Sequence, residues 1–253
     1  MKEKKKNPVE ERLIKNLDYL KLTRIREVYA EYCEQATSKN LSHLQFLDHL
    51  ISEETACKFE RRIVMLIKRA RLPLQKSLDA FDFSFPKKIP KSKVLRLSDL
   101  SFIEEKTNGI LIGPPGVGKT HIALSVAHQA CRQGIPTLFS TAIEIVNDLS
   151  ASLADASFLR RLARYLKPDL LVVDELGYLP IDKQGSDLLF QVISGRYERG
   201  SLLVTTNQNF KHWGKIFNND TTVASAIVDR LLHHAIVIPI DGPSFRTRGD
   251  DPA

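Results

Sequence analysis

The sequence predicts an α/β fold, a parallel sheet flanked by helices, preceded by a small all-helical region. From residue 100 onward, short runs rich in Val, Ile and Leu alternate with helical stretches, and the runs are apolar throughout, as in strands covered on both faces. Before residue 75, apolar residues recur at three- or four-residue steps, which is typical of helices. We therefore expect a helical N-terminal domain at 1–74, a linker at 75–99 that packs on the core, and an α/β domain at 100–253.

The composition is that of a globular chain: of its 253 residues, 43% are hydrophobic, enough to bury a substantial core. No apolar run approaches the roughly 20 residues that a membrane span needs. No apolar stretch follows the N-terminal lysines, as it would in a secretory signal. The three cysteines, Cys33, Cys57 and Cys131, lie far apart and match no metal-ligand spacing. These features predict a cytoplasmic protein with reduced thiols.

The charge is distributed unevenly along the chain. Its net value is +7, but residues 1–96 hold 22 Lys and Arg against 13 Asp and Glu, whereas residues 97–253 hold 15 against 17. A basic segment attached to a near-neutral body favours a polyanionic partner, most often nucleic acid. A solvated, lysine-rich surface is the alternative.

The N-terminal region reads as two helices. Apolar spacing predicts one amphipathic helix over residues 8–36. A second begins at Ser42, which forms a capping-box pattern with Gln45, and runs to about Leu72, before Pro73. Three prolines between residues 73 and 99 interrupt any helix there, which indicates a linker.

The second helix has a cationic face. Five basic residues fall within an arc of roughly 120° when plotted at 100° per residue, and apolar residues fall on the other side. The five are Lys58, Arg61, Arg62, Lys68 and Arg69. A cationic stripe over three turns can follow a phosphate backbone, so these residues are candidate DNA contacts. The alternative is a helix face that is merely solvated.

The α/β domain begins with a phosphate-binding pattern. Five apolar runs predict its strands: 110–112, 137–140, 170–173, 202–205 and 236–240. Directly after the first run, GPPGVGKT at 113–120 matches the P-loop G-x-x-x-x-G-K-[ST] and opens a helical stretch at 121–132, the strand–loop–helix context that this motif requires. The residues expected to bind ATP are Gly113, Pro114, Pro115, Gly116, Val117, Gly118, Lys119, Thr120 and His121. Lys119 should reach the β- and γ-phosphates, and Thr120 should ligate Mg²⁺.

Acidic residues end a later strand. LLVVDE at 170–175 places Asp174 and Glu175 at the carboxyl edge of the predicted sheet, near the P-loop. Asp174 fits the carboxylate that anchors Mg²⁺ beside the nucleotide. Glu175 fits a general base that orients water toward the γ-phosphate. The alternative is a strand that ends in two solvated acids.

A further strand run, SLLVTTN at 201–207, ends in Asn207. If this strand lies between the other two, Asn207 could hydrogen-bond both the attacking water and Glu175. The signal is weak alone, because many strands end in Thr or Asn as turn residues.

These motifs together resemble a known family, the AAA+ ATPases of the IstB/DnaC type. The resemblance rests on GPPGVGKTHIA at 113–123, LLVVDELGYLPID at 170–182, GRYERGSLLVTTN at 195–207 and VDRLLHHA at 228–235. It covers almost the whole chain and is closer to the IstB transposition helpers than to the helicase loaders. It implies a five-stranded AAA+ sheet without a helical lid, and a helical insertion at 142–167. That insertion carries three further candidate DNA contacts: Arg160, Arg161 and Arg164.

The resemblance also implies roles for single residues. Asn207 would be the sensor asparagine. Arg230 would be an arginine finger that acts on ATP held by a neighbouring subunit, with Arg196 and Arg199 as the alternatives. Arg246 would be a candidate second sensor. An ion pair of Arg230 with the adjacent Asp229 is the competing interpretation.

The function that the resemblance implies is that of an ATP- and Mg²⁺-dependent homo-oligomer, a spiral or ring on duplex DNA, which assists the transposase of the same element. A helicase loader, whose N-terminal region grips a helicase, is the alternative. A small-molecule P-loop kinase is the third possibility, but it would need an acceptor pocket and an arginine-rich lid, which the chain does not show clearly.

Overall fold

The computed structural model describes residues 7–85 and 88–245. The chain forms two compact units, one ending at Val64 and the other beginning at Met65. The helices are α1 (Pro8–Tyr19), α2 (Thr23–Ser38), α3 (His43–Ala70), α4 (Lys91–Ser98), α5 (Ser101–Glu104), α6 (Lys119–Arg132), α7 (Ala142–Ala154), α8 (Phe158–Leu166), α9 (Lys183–Arg196), α10 (Trp213–Ile216) and α11 (Thr221–Leu232). The strands are β1 (Asn108–Ile112), β2 (Thr137–Thr141), β3 (Leu170–Leu176), β4 (Ser201–Thr206) and β5 (Ala235–Pro239). No helix within the described residues is both long and apolar enough to cross a membrane.

The first unit corrects one expectation. A single helix over 8–36 was wrong, because the chain breaks between α1 and α2. At the break Lys21 takes a left-handed backbone conformation, with φ at 56°. The N–H of Leu22 then donates to the carbonyl of Leu17 at 2.8 Å, which satisfies one of the last carbonyls of α1.

The start of α2 is capped from a distant part of the sequence. Glu54 on α3 is 3% exposed, and its Oε2 accepts hydrogen bonds from the backbone N–H groups of Arg24 at 2.9 Å and Ile25 at 3.0 Å. A carboxylate at a helix N-terminus satisfies unpaired N–H groups and the helix dipole together. Apolar periodicity does not report this contact, which explains why the break escaped the sequence prediction.

Helix α3 begins as predicted. Its capping box is confirmed: the N–H of Ser42 donates to Oε1 of Gln45 at 2.9 Å, and the N–H of Gln45 donates to Oγ of Ser42 at 3.3 Å. The helix ends at Ala70, two residues short of the expected Leu72, because Arg71 takes a left-handed φ of 56°. The expectation that prolines keep the whole linker free of helix was incomplete, since α4 forms directly after Pro90.

The second unit is built on a five-stranded sheet, and all neighbouring strands are parallel. The order is β2-β3-β4-β1-β5, so β4 lies between the P-loop strand β1 and the Asp-Glu strand β3. The predicted fold class is therefore confirmed. Because parallel strands end at one edge, the segments that follow β1, β3 and β4 meet there.

Helices cover both faces of this sheet. One apolar core lies under α4, α5 and α6, and the other lies under α7, α9 and α11. The expected insertion at 142–167 contains two helices, α7 and α8. In the described residues, β5 is followed only by 240–245.

The distant cap on α2 gives a first prediction. Replacing Glu54 with Ala leaves two N–H groups without their charged acceptor, which costs about 1.5–3 kcal/mol per hydrogen bond of this kind. We expect amide hydrogen exchange across α2 of the intact chain to accelerate at least about tenfold. Glu60→Ala, which removes an exposed carboxylate from the same helix, is the control. Equal exchange in the two variants would show that Glu54 does not hold α2.

Candidate nucleotide site

The P-loop, residues 113–118, joins β1 to α6 and depends on two left-handed glycines. Gly116 has φ at 81° and Gly118 has φ at 95°. A Cβ on Gly116 would lie 2.1 Å from Oγ of Ser244, and one on Gly118 would lie 2.5 Å from a ring carbon of Phe81. Backbone conformation and space therefore both require glycine, which lets the loop curl around a phosphate.

The side chain of Lys119 hydrogen-bonds to the backbone of this loop. Its Nζ donates to the carbonyls of Gly113 and Pro114, each at 2.7 Å. Residues 115–121 line a cavity of about 420 Å³. Gly113 and Pro114 are not among the residues that line it, but their carbonyls contact Lys119, which is. The lysine ammonium therefore stands at the mouth of the loop, where phosphate oxygens can replace the two carbonyls as its partners.

A buried carboxylate joins three segments of the site. Asp174 is 4% exposed, and the hydroxyl of Thr120 lies 3.1 and 3.2 Å from its two oxygens. The hydroxyl of Thr205 on β4 donates to the same carboxylate. Hydroxyl and carboxylate oxygens are the ligands that Mg²⁺ prefers, so Thr120 and Asp174 fit the ion that accompanies ATP.

Thr205 also positions the backbone of Glu175. The N–H of Glu175 donates to Oγ1 of Thr205 at 3.0 Å. Glu175 lies in a register shift between Val173 and Leu176, with φ at 59°, and its side chain lines the cavity. A left-handed non-glycine residue persists only where its surroundings hold it. Thr205 is a site residue that sequence reasoning missed; its signal was a hydroxyl within a strand that is buried along its whole length.

Asn207 follows β4 and lines the same cavity. Its Oδ1 is buried and accepts no hydrogen bond from any described residue. A buried amide oxygen without a partner is costly unless a ligand or water supplies the donor. Asn207 therefore fits a group that contacts the nucleotide or its attacking water.

Aromatic residues form the remaining wall of the cavity. The linker contributes Phe81 and Phe85, and the segment after β5 contributes Phe245. The rings of Phe85 and Phe245 lie edge to face with centroids 4.9 Å apart, and the N–H of Phe245 donates to the carbonyl of Gly116 at 2.9 Å. Such a wall suits the flat apolar faces of a nucleotide base. Arg246, the candidate second sensor, lies outside the described residues.

Arg230 does not lie at this cavity. Its backbone carbonyl, 3.4 Å from Nδ2 of Asn108, places it beside the first residue of β1, whereas the P-loop follows the last. Five strand residues separate these ends by roughly 16 Å. Its guanidinium donates to the carbonyl of Ala226 at 2.9 Å and lies 4.9 Å from the ring of Phe190. In the described part of the chain no carboxylate pairs with it, Asp229 included.

Arg196, named as an alternative finger, has a structural role instead. It is 1% exposed, and its guanidinium donates to the carbonyls of Tyr165 and Ser201, each at 2.8 Å. Burial lowers the pKa of this guanidinium to about 10. It cannot reach a second molecule, whereas Arg199 is exposed.

The candidate DNA contacts on α3 all lie at the surface. Lys58, Arg61, Arg62, Lys68 and Arg69 are exposed. Arg61 donates to Oγ1 of Thr23 at 2.7 Å, and Nζ of Lys58 lies 3.6 Å from Oε1 of Glu54.

The three insertion arginines differ from one another. Arg161 pairs with Asp148 at 3.0 Å and with Asp155 at 2.7 Å, and Arg164 lies 3.6 Å from Asp148. Their charge is therefore largely compensated within the chain. Arg160 is exposed on α8 and is the insertion arginine best placed to meet a phosphate.

Comparisons with known proteins agree with this geometry. The family model of the IstB-like ATP binding proteins matches residues 15–253. The insertion sequence IS5376 ATP-binding protein of Geobacillus stearothermophilus is 38% identical over 95% of both chains. That of IS21 from Pseudomonas aeruginosa is 35% identical over 92% of this chain and 87% of its own. These matches confirm the resemblance seen in the motifs.

Solved structures share the fold at lower identity. DnaI is 22% identical with a TM-score of 0.56, over 70% of this chain and 92% of its own. The AMPPCP-bound DnaA of Aquifex aeolicus is 16% identical with a TM-score of 0.55. That match covers 67% of this chain and about half, 51%, of the DnaA chain. These neighbours support the AAA+ arrangement of the sheet.

The hydrogen bonds of Thr205 give a second prediction. Thr205→Val keeps the shape of the side chain but removes the hydroxyl that serves both Asp174 and Glu175. Because hydrogen bonds to charged groups contribute about 1.5–3 kcal/mol, we expect the ATPase kcat to fall by about tenfold to a hundredfold. Thr205→Val should still bind ATP. Lys119→Ala, by contrast, should show no measurable ATP affinity in calorimetry.

Thr206→Val is the matched control, because the hydroxyl of Thr206 accepts from the N–H of Gln208 and does not serve the carboxylate. A Thr205→Val chain with the kcat of the control would show that this hydroxyl does not organise the site.

Proposed function

Since the chain belongs to the family of IstB-like ATP binding proteins and is an AAA+ ATPase, we propose that it assists the transposase of the same insertion sequence, as a cytoplasmic homo-oligomer that assembles with ATP on duplex DNA. The observation that carries this proposal is the end-to-end similarity to insertion-sequence ATP-binding proteins, which spans 95% of both chains for IS5376. The distance between Arg230 and the P-loop supports an ATPase whose site is shared between two copies of the chain.

Different residues of the cavity have different roles in ATP hydrolysis. Lys119 and the P-loop amides hold the phosphates. Thr120 and Asp174 would hold Mg²⁺, which when bound neutralises charge on the β- and γ-phosphates. Glu175 accepts a proton from the water that attacks the γ-phosphorus, while the bond from that phosphorus to the bridging oxygen breaks and ADP leaves. Asn207 offers its buried amide oxygen to the same water.

The position of Arg230 supports assembly. Because roughly 16 Å of strand separates it from its own P-loop, it can neutralise a γ-phosphate only on a neighbouring copy. The contacts with Ala226 and Phe190 hold the side chain without cancelling its charge. A spiral or ring, in which each copy contributes Arg230 to the next, completes every interior site.

Duplex DNA is the proposed polyanion for the basic surfaces. The cations of α3 and Arg160 on α8 are exposed, so they present positive charge at the surface. Contacts of this kind favour phosphates, which are present in every sequence. Such binding would let the assembly form on target DNA wherever the transposase is to act.

A mixing experiment tests the shared site. We expect Arg230→Ala to bind ATP but to hydrolyse it at least about a thousandfold more slowly, the scale of arginine fingers in other P-loop enzymes. Glu175→Gln keeps its arginine but lacks the base, so it should bind ATP and not turn over. Mixtures should recover part of the parental rate, because an intact Arg230 from one variant meets an intact Glu175 on the other.

Lys211→Ala, which removes an exposed cation from the same unit, is the control for the removal of a positive charge. Parental turnover by Arg230→Ala alone would place the finger elsewhere, with Arg199 as the next residue to test. Mixtures that stay inactive would argue against a site shared between copies.

Charge reversal tests the DNA surface. Changing Arg61, Arg62, Lys68 and Arg69 to Glu should weaken binding to duplexes of any sequence. For each phosphate contact that is lost, the slope of log affinity against log salt concentration should become less steep by about 0.9. ATP affinity should stay at the parental value, because the P-loop and its partners are untouched.

Two charge reversals in the second unit serve as controls. Arg132→Glu changes an exposed residue, and Lys106→Glu changes a half-buried one. An unaltered salt slope in the α3 variant would mean that α3 is solvated and that Arg160 should be tested instead. A parent that binds no duplex in the absence of a helicase would favour the helicase-loader alternative.

A further inference from the structure

A cluster of metal-ligating side chains lies outside the nucleotide site. Glu198 follows the end of α9, and His233 and His234 join α11 to β5. One ligand atom from each of the three side chains lies within 4.8 Å of the others, and all three residues are exposed. Two imidazoles and a carboxylate that converge in this way are a donor set for a divalent transition metal.

A fourth side chain positions one of the imidazoles. The hydroxyl of Tyr197 and Nδ1 of His233 share a hydrogen bond of 2.7 Å. Metal-binding histidines usually engage their second ring nitrogen in this manner, which fixes the ring and its tautomer. With Nδ1 occupied, Nε2 is the ring nitrogen of His233 left for a metal ion.

We propose that Glu198, His233 and His234 bind one Zn²⁺ ion or a similar borderline transition metal. Ligand bonds of about 2.0–2.2 Å require the three donor atoms to approach one another by roughly 1 Å, which exposed side chains can do by changing rotamers. Water would complete the coordination. Mg²⁺ does not compete, because it prefers oxygen ligands to imidazole.

This site is distinct from the one that serves ATP. The carbonyl of His234 accepts from the N–H of Asn108 at 2.8 Å, so the cluster lies at the amino end of β1, opposite the P-loop. The ion would tie the end of α9 to the junction between α11 and β5. Arg230 lies one helical turn before His233, so the ion would stiffen the segment that carries this arginine. Metal binding itself does not depend on the proposed function.

Metal titration of the intact chain, freed of metal and nucleotide, tests the proposal. We expect one equivalent of Zn²⁺ per chain in competition with a chromogenic chelator. Co²⁺ in its place should give weak visible bands of nitrogen and oxygen ligation, without the intense near-ultraviolet band of thiolate ligation. Zn²⁺ should raise the unfolding temperature of the parent, because it binds the folded state.

Variants assign the ligands. Tyr197→Phe should lower Zn²⁺ affinity by about tenfold, as the removal of an outer-sphere partner does. Glu198→Gln and His234→Ala should lower it further and abolish the rise in unfolding temperature. His43→Ala, which removes an exposed histidine from α3, should leave affinity unchanged.

Two results would overturn the proposal. One is a Zn²⁺ affinity that is the same in the parent, Glu198→Gln and His234→Ala. The other is a Co²⁺ spectrum dominated by thiolate bands, which would assign the metal to the cysteines. Because both variants alter exposed side chains, circular dichroism of the metal-free chains should match the parent and exclude misfolding as the cause of weaker metal binding.

Discussion

The nucleotide site depends on one buried carboxylate. Asp174 is only 4% exposed, and two hydroxyls, from Thr120 and Thr205, donate to it, as a buried carboxylate requires. Thr120 belongs to the P-loop helix and Thr205 to the central strand β4, so this carboxylate connects the ends of three strands. Thr205 in turn holds the backbone of Glu175 in its left-handed conformation. The P-loop helix, the candidate Mg²⁺ ligands and the proposed base are thus parts of one network.

The same sheet that gathers these groups keeps Arg230 away from them. Strand β1 carries the P-loop at its carboxyl end and contacts the Arg230 backbone at its amino end. In the proposed mechanism, a single copy therefore carries both halves of a catalytic site but cannot bring them together. If DNA aligns the copies, DNA binding and ATP turnover become linked, since the surface that favours assembly also favours completed sites. Such coupling would make ATP hydrolysis depend on assembly, which suits the proposed role of assisting a transposase.

Local sequence patterns predicted most of the second unit, because its strands are apolar on both faces and the P-loop is set by glycine conformation. What the sequence could not predict arises from contacts between distant residues. Glu54 caps a helix about 30 positions earlier, which splits the expected first helix. Thr205 serves a carboxylate on another strand. Arg161 is compensated by Asp148 on the preceding helix, so a basic pattern there overstated the available charge.

The central claim is that each ATP site is completed by a second copy of the chain. The most direct measurement is an electron cryo-microscopy structure of the Glu175→Gln chain with ATP, Mg²⁺ and duplex DNA, because this variant should hold ATP without hydrolysing it. We expect an oligomer around or along the duplex, with the guanidinium of Arg230 from one copy in hydrogen-bond contact with the γ-phosphate on the next. Separate monomers with bound ATP, or an oligomer in which Arg230 faces solvent, would contradict the claim.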